Sequence, residues 1–188
     1  MPLAVGKLWP QPLEVPIILK RSMPPAGSGD ARLLILGSLP GEASLKAQRY
    51  YAHPQNQFWG LLGRAIGEDL AAMPYKHRLV RLAEHCIALW DVVGEASRAG
   101  SLDGAIRGAT PNQLCGYAET HPNLRAIAFN GKTAARIGRA ALGDFSGVKL
   151  VDLPSSSPAF TLSFEEKAQR WALLGPLAWP PETATLES

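Results

Sequence analysis

The sequence predicts an α/β protein in which a parallel sheet lies between two layers of helices. Four short apolar runs, RLLILGS, CIALWDVV, LRAIAFN and VKLVDLP, alternate with longer segments that have helical periodicity. Short runs that are apolar throughout are typical of strands buried on both faces. Strands that alternate with helices form parallel sheets covered by helices on both sides. We therefore predict a three-layer α/β/α fold with a central four-stranded parallel sheet.

The order of the elements follows from local patterns. Residues 1–30 are rich in proline and glycine and predict an N-terminal arm with one short strand around Val15–Leu19. Residues 31–188 are expected to form a single domain without internal repeats. The four strands are predicted at residues 32–38, 86–93, 124–130 and 148–154.

Five helices are predicted around these strands. In the first, apolar side chains recur at Phe58, Trp59, Leu62 and Ile66, which is a helical stripe. The last begins after Ser163, a residue type favoured as an N-cap, and carries acidic residues in its first turn. The five helices span residues 56–70, 73–85, 111–120, 131–143 and 163–178. The segment 94–112, which contains several glycines, predicts a loop.

The composition limits the class of protein. Of the 188 residues, 46% are apolar and 19% are charged, which is typical of a globular domain. No apolar run approaches the roughly 18 residues of a membrane span, and the N-terminus lacks the layout of a signal peptide. We therefore expect a cytoplasmic protein. The net charge of +3 permits contact with a polyanion without requiring it.

The cysteines and histidines predict no metal site. Cys86 and Cys115 do not form a CxxC pair, and an iron–sulfur cluster needs about four thiolates. The spacing of the four histidines fits no zinc site, and His77 and His85 are expected to be exposed helix residues. We expect no metal, no cofactor and a monomer.

Loops at the carboxyl ends of parallel strands carry the functional residues of such folds. The loop GSLPG, Gly37–Gly41, exposes backbone N–H groups that can bind an anion or the carbonyl of a flat heterocycle, although an ordinary tight turn has the same pattern. Asn130 ends the third strand, where its amide can read the edge of a base. Lys132 follows at a helix N-terminus, where either a phosphate partner or solvent would accommodate its charge.

Two further segments have unusual composition. In YYAHPQNQFW, Tyr51 can stack on a base for about 1–3 kcal/mol, and Asn56 can hold a water. Phe58 and Trp59 lie on the apolar stripe and are expected in the core. In LPSSSPAF the serines can contact phosphates and the apolar residues can form a wedge between base pairs, or the segment is a turn that precedes the last helix.

In this order, GSLPG, YYAHPQNQFW, FNGK and LPSSSPA resemble the motifs of the uracil-DNA glycosylase superfamily over about residues 30–175. The resemblance is to its hypoxanthine-DNA (deoxyinosine) glycosylase branch, near the mismatch-specific uracil/thymine-DNA glycosylases. It implies hydrolysis of the N-glycosidic bond of a deaminated base, uracil or hypoxanthine, flipped out of double-stranded DNA at the start of base excision repair.

The resemblance implies a role for each motif. Backbone groups of Gly37, Ser38 and Leu39 would contact a carbonyl of the base, Tyr51 would stack on it, and Asn130 would read its edge. Predicted contacts to DNA phosphates and to the vacated stack are Ser44, Lys132, Ser155, Ser156, Ser157, Pro158, Ala159 and Phe160.

Two positions depart from the wider superfamily. Leu39 stands where relatives hold a water-positioning Asp or Asn, and Leu153 stands where some hold a histidine that stabilises the leaving base. The hypoxanthine branch implies that an amide substitutes, so Asn56 is the predicted catalytic residue. Asp91, after the second strand, is the alternative carboxylate, or it has a structural role. The missing histidine predicts a slow enzyme.

Other functions stay open at this stage. The apolar Leu39 and Leu153 favour a catalytically impaired module that binds damaged DNA. A small-molecule α/β enzyme is a third hypothesis, although the GxGxxG and GxxxxGK[ST] fingerprints are missing. The sequence does not choose between uracil, hypoxanthine, xanthine and mismatched bases. No lysine is an evident Schiff-base candidate, so no lyase activity is expected.

Overall fold

The computed structural model describes residues 19–178. The strand predicted around Val15–Leu19 lies outside the described residues except for its last residue. Leu19 begins β1 (Leu19–Arg21), and β2 (Ala26–Gly27) follows it closely. Both strands pair with later ones, so the described part of the N-terminal arm packs on the rest of the chain.

The main sheet contains the four predicted strands: β3 (Leu33–Gly37), β4 (Ile87–Asp91), β7 (Ala126–Asn130) and β8 (Lys149–Leu153). They are parallel, and with β2 the spatial order is β2-β4-β3-β7-β8. The predicted four-stranded parallel sheet is confirmed. The sequence missed β2, an edge strand of two residues that runs antiparallel to β4.

A second, smaller sheet corrects the predicted loop 94–112. It consists of β1, β5 (Val93–Ser97) and β6 (Arg107–Pro111), all antiparallel, and β5 begins two residues after β4 ends. The loop prediction is wrong for residues 94–97 and 107–111, which pair as strands, whereas residues 98–106 connect the two. Gly94 lies against Asn112, and a Cβ at Gly94 would meet the Oδ1 atom of that residue at 2.7 Å.

Helices cover both faces of the main sheet. Their bounds are α1 (Glu42–Ala47), α2 (Phe58–Ile66), α3 (Tyr75–Glu84), α4 (Leu114–Thr120), α5 (Lys132–Leu142), α6 (Phe164–Trp171) and α7 (Gly175–Ala178). The predicted helices are present but shorter, and α4 starts at Leu114 because Pro111 still belongs to β6. Helix α1 is an additional helix that the sequence analysis did not predict.

Alternate side chains of β3 pack into two hydrophobic cores, one on each face of the main sheet. Leu33 and Ile35 pack with residues of α2, α3 and α6, while Leu34 and Leu36 pack with residues of α4 and α5. Phe58 and Trp59 are buried, as predicted. The α/β/α layering is therefore confirmed. Within residues 19–178, no helix combines the length and the apolar character that a bilayer span requires.

His85 was expected to be an exposed helix residue, and this is wrong. Only 3% of it is exposed, and its Nε2 lies 3.1 Å from Glu68 Oε1. Hydrogen bonds from Arg81 and, to a smaller extent, from His85 lower the pKa of Glu68. Across the described range, no group of three or more His, Cys, Asp or Glu side chains is arranged to hold a metal ion.

Candidate active site

A cavity of about 370 Å³ opens at the carboxyl ends of the parallel strands. All four loops singled out in the sequence contribute to its wall. The predicted site residues that line it are Gly37, Ser38, Leu39, Ser44, Tyr51, Asn56, Asp91, Asn130, Ser155, Ser156, Ser157, Pro158, Ala159 and Phe160. Lys132 is exposed at the start of α5 and does not line it. Asn56 and Asn130 therefore share one cavity.

The loop Gly37–Gly41 is held by hydrogen bonds to its carbonyl groups. The carbonyls of Gly37 and Ser38 accept hydrogen bonds from backbone N–H groups just after β4. Those of Leu39 and Pro40 accept from the guanidinium of Arg98, a side chain with 2% exposure. The N–H groups of Ser38 and Leu39 donate to no group in residues 19–178. Fixed, unpaired donors of this kind suit the carbonyl oxygen of a ligand.

Asp91 lies at the inner end of the cavity, at the last residue of β4. Its Oδ2 accepts a hydrogen bond from Ser22 Oγ at 2.8 Å, and only 3% of the residue is exposed. Burial raises the pKa of Asp91 to about 7, although the hydrogen bond from Ser22 opposes the shift. A Cβ at Gly37 would meet Asp91 Oδ1 at 2.8 Å, so only glycine leaves room for the carboxyl group.

A second carboxyl group, Asp103, lines the cavity from the turn between β5 and β6. It accepts a hydrogen bond of 2.5 Å from Ser38 Oγ. The neighbouring Leu102 also lines the cavity and is 65% exposed. Sequence reasoning expected the loop after β4 to contribute to the site, but it assigned no role to either residue because the segment contains no recognisable motif.

Tyr51 contributes one ring face and a hydroxyl. Its ring stacks on Phe58 with centroids 3.6 Å apart and planes 5° from parallel, so only the other face is open to a ligand. Its backbone has a φ of 53°, a left-handed conformation that is uncommon for a bulky residue. Its hydroxyl is buried beside the Asn130 side chain, and it forms no hydrogen bond of standard geometry among residues 19–178. Left-handed residues and unpaired polar groups of this kind occur often at functional sites.

Asn56 stands at the entry to α2. Its Oδ1 accepts the N–H of Phe58 at 3.0 Å, which fixes the orientation of the carboxamide. Its Nδ2 donates to no group in residues 19–178, and one lone pair of Oδ1 also stays open. The half-buried side chain can therefore hold a water in the cavity.

Asn130 and Ser156 form a closed pair. Asn130 Nδ2 donates to Ser156 Oγ at 2.8 Å, and Asn130 Oδ1 accepts from Ser156 N at 2.8 Å. Both residues are buried. The pair leaves one N–H and one lone pair of Asn130 for a ligand. It also holds the serine-rich loop, Ser155–Ser157, against the end of β7. Gly131 packs beside this loop, where a Cβ would meet that of Ser155 at 3.0 Å.

Comparison with known proteins decides the family. The sequence profile described as "Uracil DNA glycosylase superfamily" matches residues 24–178. The chain belongs to this superfamily. It is therefore a DNA glycosylase, and the resemblance drawn from the four motifs is confirmed.

Individual relatives cover nearly the same range. Hypoxanthine DNA glycosylase of Methanosarcina acetivorans is 39% identical over 154 residues, which are 82% of this chain and 96% of that protein. The protein of the same name from Methanosarcina barkeri is 39% identical over 156 residues, 81% of this chain and 96% of that one. A solution NMR structure from M. acetivorans, described as a candidate uracil DNA glycosylase, matches with a TM-score of 0.76 and 37% identity. It covers 86% of this chain and 99% of that one.

The positions where this glycosylase departs from the wider superfamily are both apolar and buried. Leu39 and Leu153 belong to opposite core clusters of the sheet. Leu39 also lines the cavity, but its side chain offers no polar atom to a water. Polar groups of Asn56, Asp91 and Asp103 line the same cavity.

A buried lysine contacts the backbone of the serine-rich loop. Lys167, 1% exposed, donates to Gln57 Oε1 at 2.8 Å and lies 3.4 Å from the carbonyl of Ser157. Its ammonium is 5.5 Å from the ring of Phe160. Burial lowers the pKa of Lys167. A desolvated lysine is thus present although the sequence suggested none, but no lysine of residues 19–178 lines the cavity.

One predicted DNA contact is buried in the fold, whereas two others lie exposed at the rim of the cavity. The Ser44 hydroxyl is buried and accepts the N–H of Ala52 at 3.1 Å, which connects α1 to the segment after it. Pro158 and Ala159 are exposed at the rim of the cavity, as a wedge would require. The DNA contacts of these residues stay predictions.

Proposed function

We propose that this glycosylase hydrolyses the N-glycosidic bond of a deaminated base, hypoxanthine or uracil, that is flipped out of double-stranded DNA. It acts by hydrolysis alone and starts base excision repair. The observation that carries the proposal is the shared cavity, which collects Tyr51, Asn56, Asp91 and Asn130 at one end of the sheet. The relatives named as hypoxanthine DNA glycosylases support the purine as the preferred base.

In the proposed complex the base enters between the open face of Tyr51 and the loop Gly37–Gly41. The free N–H groups of Ser38 and Leu39 donate to a carbonyl oxygen of the base. Asn130 uses its remaining N–H and lone pair on the base edge. When Asp91 is protonated, its O–H donates to an acceptor of the base. These donors stabilise the electron pair that the base keeps as the bond to C1′ breaks.

Water completes the reaction on the sugar. Asn56 holds the water through its free N–H group or its free lone pair. The water oxygen bonds to C1′ as oxocarbenium character develops, and its proton leaves to solvent. An amide cannot remove that proton at neutral pH, so Asn56 orients the water without acting as a base.

A panel of duplexes, each with one inosine, uracil, xanthine or normal base, tests the proposed function. Single-turnover release of free base is measured with enzyme in excess. We expect release from inosine, slower release from uracil and none from normal bases. Binding to an inosine duplex without any release would instead support the damaged-DNA binding module that Leu39 and Leu153 suggested.

Replacing Tyr51 should weaken capture of the flipped base. Because base–aromatic stacking contributes about 1–3 kcal/mol, Tyr51→Ala is expected to raise the half-saturating enzyme concentration for base release about tenfold. Tyr51→Phe keeps the ring and should keep most of that affinity. If Tyr51→Ala matched the wild type, the ring would be a core residue only.

A purely hydrolytic mechanism predicts that no enzyme–DNA adduct forms. Borohydride traps the Schiff base of a lyase, and this requires an amine beside C1′. No lysine within residues 19–178 lines the cavity, and the ammonium of Lys167 is held by Gln57. We expect no covalent product on denaturing gels. An adduct that disappears in Lys167→Met would overturn the hydrolytic assignment.

A further inference from the structure

A second cavity, of about 460 Å³, adjoins the base cavity. The two share Tyr50, Tyr51, His53 and Asn56, so the turn His53–Asn56 is a common wall. We name the second cavity the arginine recess, after Arg49 and Arg78 in its lining. No function assigned so far uses it.

The arginine recess is positively charged without a compensating acid. Arg49 and Arg78 line it, and no carboxylate does. Arg78 donates to the carbonyls of Ala71 and Met73, which carry no net charge. Neither arginine forms a salt bridge within residues 19–178. Their charges are therefore available to an anion.

The aromatic residues of the recess hold the guanidinium groups in place. The Arg49 guanidinium lies over the Tyr75 ring at 5.8 Å, and that of Arg78 lies over the Trp59 ring at 4.9 Å. An arginine placed on a ring loses less conformational freedom when it binds a phosphate. Because the guanidinium groups occupy these ring faces, the recess suits a phosphate better than a stacked base.

The start of α3 adds further donors. Pro74 and Tyr75 line the recess, and the helix has no side-chain cap and no acidic residue in its first turn. The N–H groups of Tyr75 and Lys76 donate to no group in residues 19–178. The positive end of a ten-residue helix therefore faces the same region as the two arginines.

We propose that the arginine recess binds a backbone phosphate of the DNA strand that carries the flipped nucleotide. The inference rests on the proposed function, since it places that nucleotide in the neighbouring cavity. A flipped nucleotide keeps a phosphate on each side of its sugar. A strand whose sugar lies beside Asn56 meets the recess across the His53–Asn56 wall. Guanidinium groups without an acidic partner bind phosphate oxygens through charge-assisted hydrogen bonds.

The salt dependence of DNA binding tests this proposal. The Kd of an inosine duplex and of an undamaged duplex is measured across a salt series for Arg49→Gln and Arg78→Gln. Each lost phosphate contact should lower the slope of log Kd against log salt by about one and raise Kd several-fold at low salt. Base release at saturating enzyme should stay near the wild-type rate, because these contacts bind without touching the reacting atoms.

Arg125→Gln is the matched control. Arg125 is exposed just before β7, at the amino ends of the strands and away from both cavities. Because Arg78 is partly buried, circular dichroism is used to establish whether Arg78→Gln folds. If Arg78→Gln does not fold, the test relies on Arg49→Gln, since Arg49 is exposed. Slopes equal to that of Arg125→Gln for both variants would overturn the phosphate site. If the slopes change but the wild type releases no base, the recess stands and the proposed function fails.

Discussion

Asn56→Ala is expected to lower the single-turnover rate of base release about 100-fold or more, while the Kd for an inosine duplex stays within about twofold. The variant removes the carboxamide that would hold the water, and groups that position a reacting species typically contribute 10²–10⁴ in rate. Affinity should persist because the free N–H donors of the Gly37–Gly41 loop and the Tyr51 ring are untouched. Rates at saturating enzyme and fluorescence anisotropy measure the two quantities.

Asn56 also accepts the N–H of Phe58, so the alanine variant loses a helix-entry hydrogen bond that contributes about 1 kcal/mol to stability. Ser163→Ala is the matched control. Ser163 caps α6 through the N–H of Glu166, and it does not line the cavity. It should lose similar stability and keep its rate. An Asn56→Ala variant as active as Ser163→Ala would mean that another residue places the water.

Asp91→Asn is expected to change the pH dependence of base release. Because burial raises the pKa of Asp91 to about 7, the proposed O–H donor is present below pH 7 and disappears above it. The wild-type rate should therefore fall by up to tenfold per pH unit above about 7. The amide of Asp91→Asn donates at every pH, so the variant should lack this decline, at a lower rate, because an amide N–H is a weaker hydrogen-bond donor than a carboxylic O–H. A wild-type rate that rises through pH 7 would assign the carboxylate form to catalysis instead.

Asp91→Asn should also change the stability of the protein, and the direction of that change at each pH can be predicted. Asp91 binds its proton more tightly in the folded state, whose pKa is about 7, than in the unfolded chain, whose pKa is about 3.8. Its contribution to stability is therefore lost as pH rises from about 4 to about 7. We expect Asp91→Asn to be more stable than the wild type above pH 7. Thermal unfolding at several pH values measures this difference, and equal melting temperatures at all of them would contradict the burial argument.

The strands and the site region could be read from local patterns. Strand β3 contains only leucine, isoleucine and glycine, so the sequence alone indicates that both of its faces are buried. Because parallel strands end at one edge, Asn130 and the Gly37–Gly41 loop had to lie near each other once the sheet was recognised. The pairing of Asn130 with Ser156 was not foreseen, since an isolated amide gives no sign of its partner.

The residues that the sequence could not assign reach the site through tertiary structure. Arg98 and Asp103 lie in a segment without periodicity, and only the second sheet carries them to the Gly37–Gly41 loop. In the sequence, Lys167 resembles the other charged residues of a solvent-exposed helix face. Only the folded structure places its ammonium group against Gln57. Burial depends on which surface an element meets, and local sequence does not encode that surface.

The most direct test of the central claim is a crystal structure of Asn56→Ala bound to a duplex with one deoxyinosine. The account predicts an intact nucleotide turned out of the helix, with hypoxanthine in the cavity between Tyr51 and the Gly37–Gly41 loop and its sugar facing position 56. A bound duplex in which the base stays stacked, or lies against another surface of the protein, would contradict it.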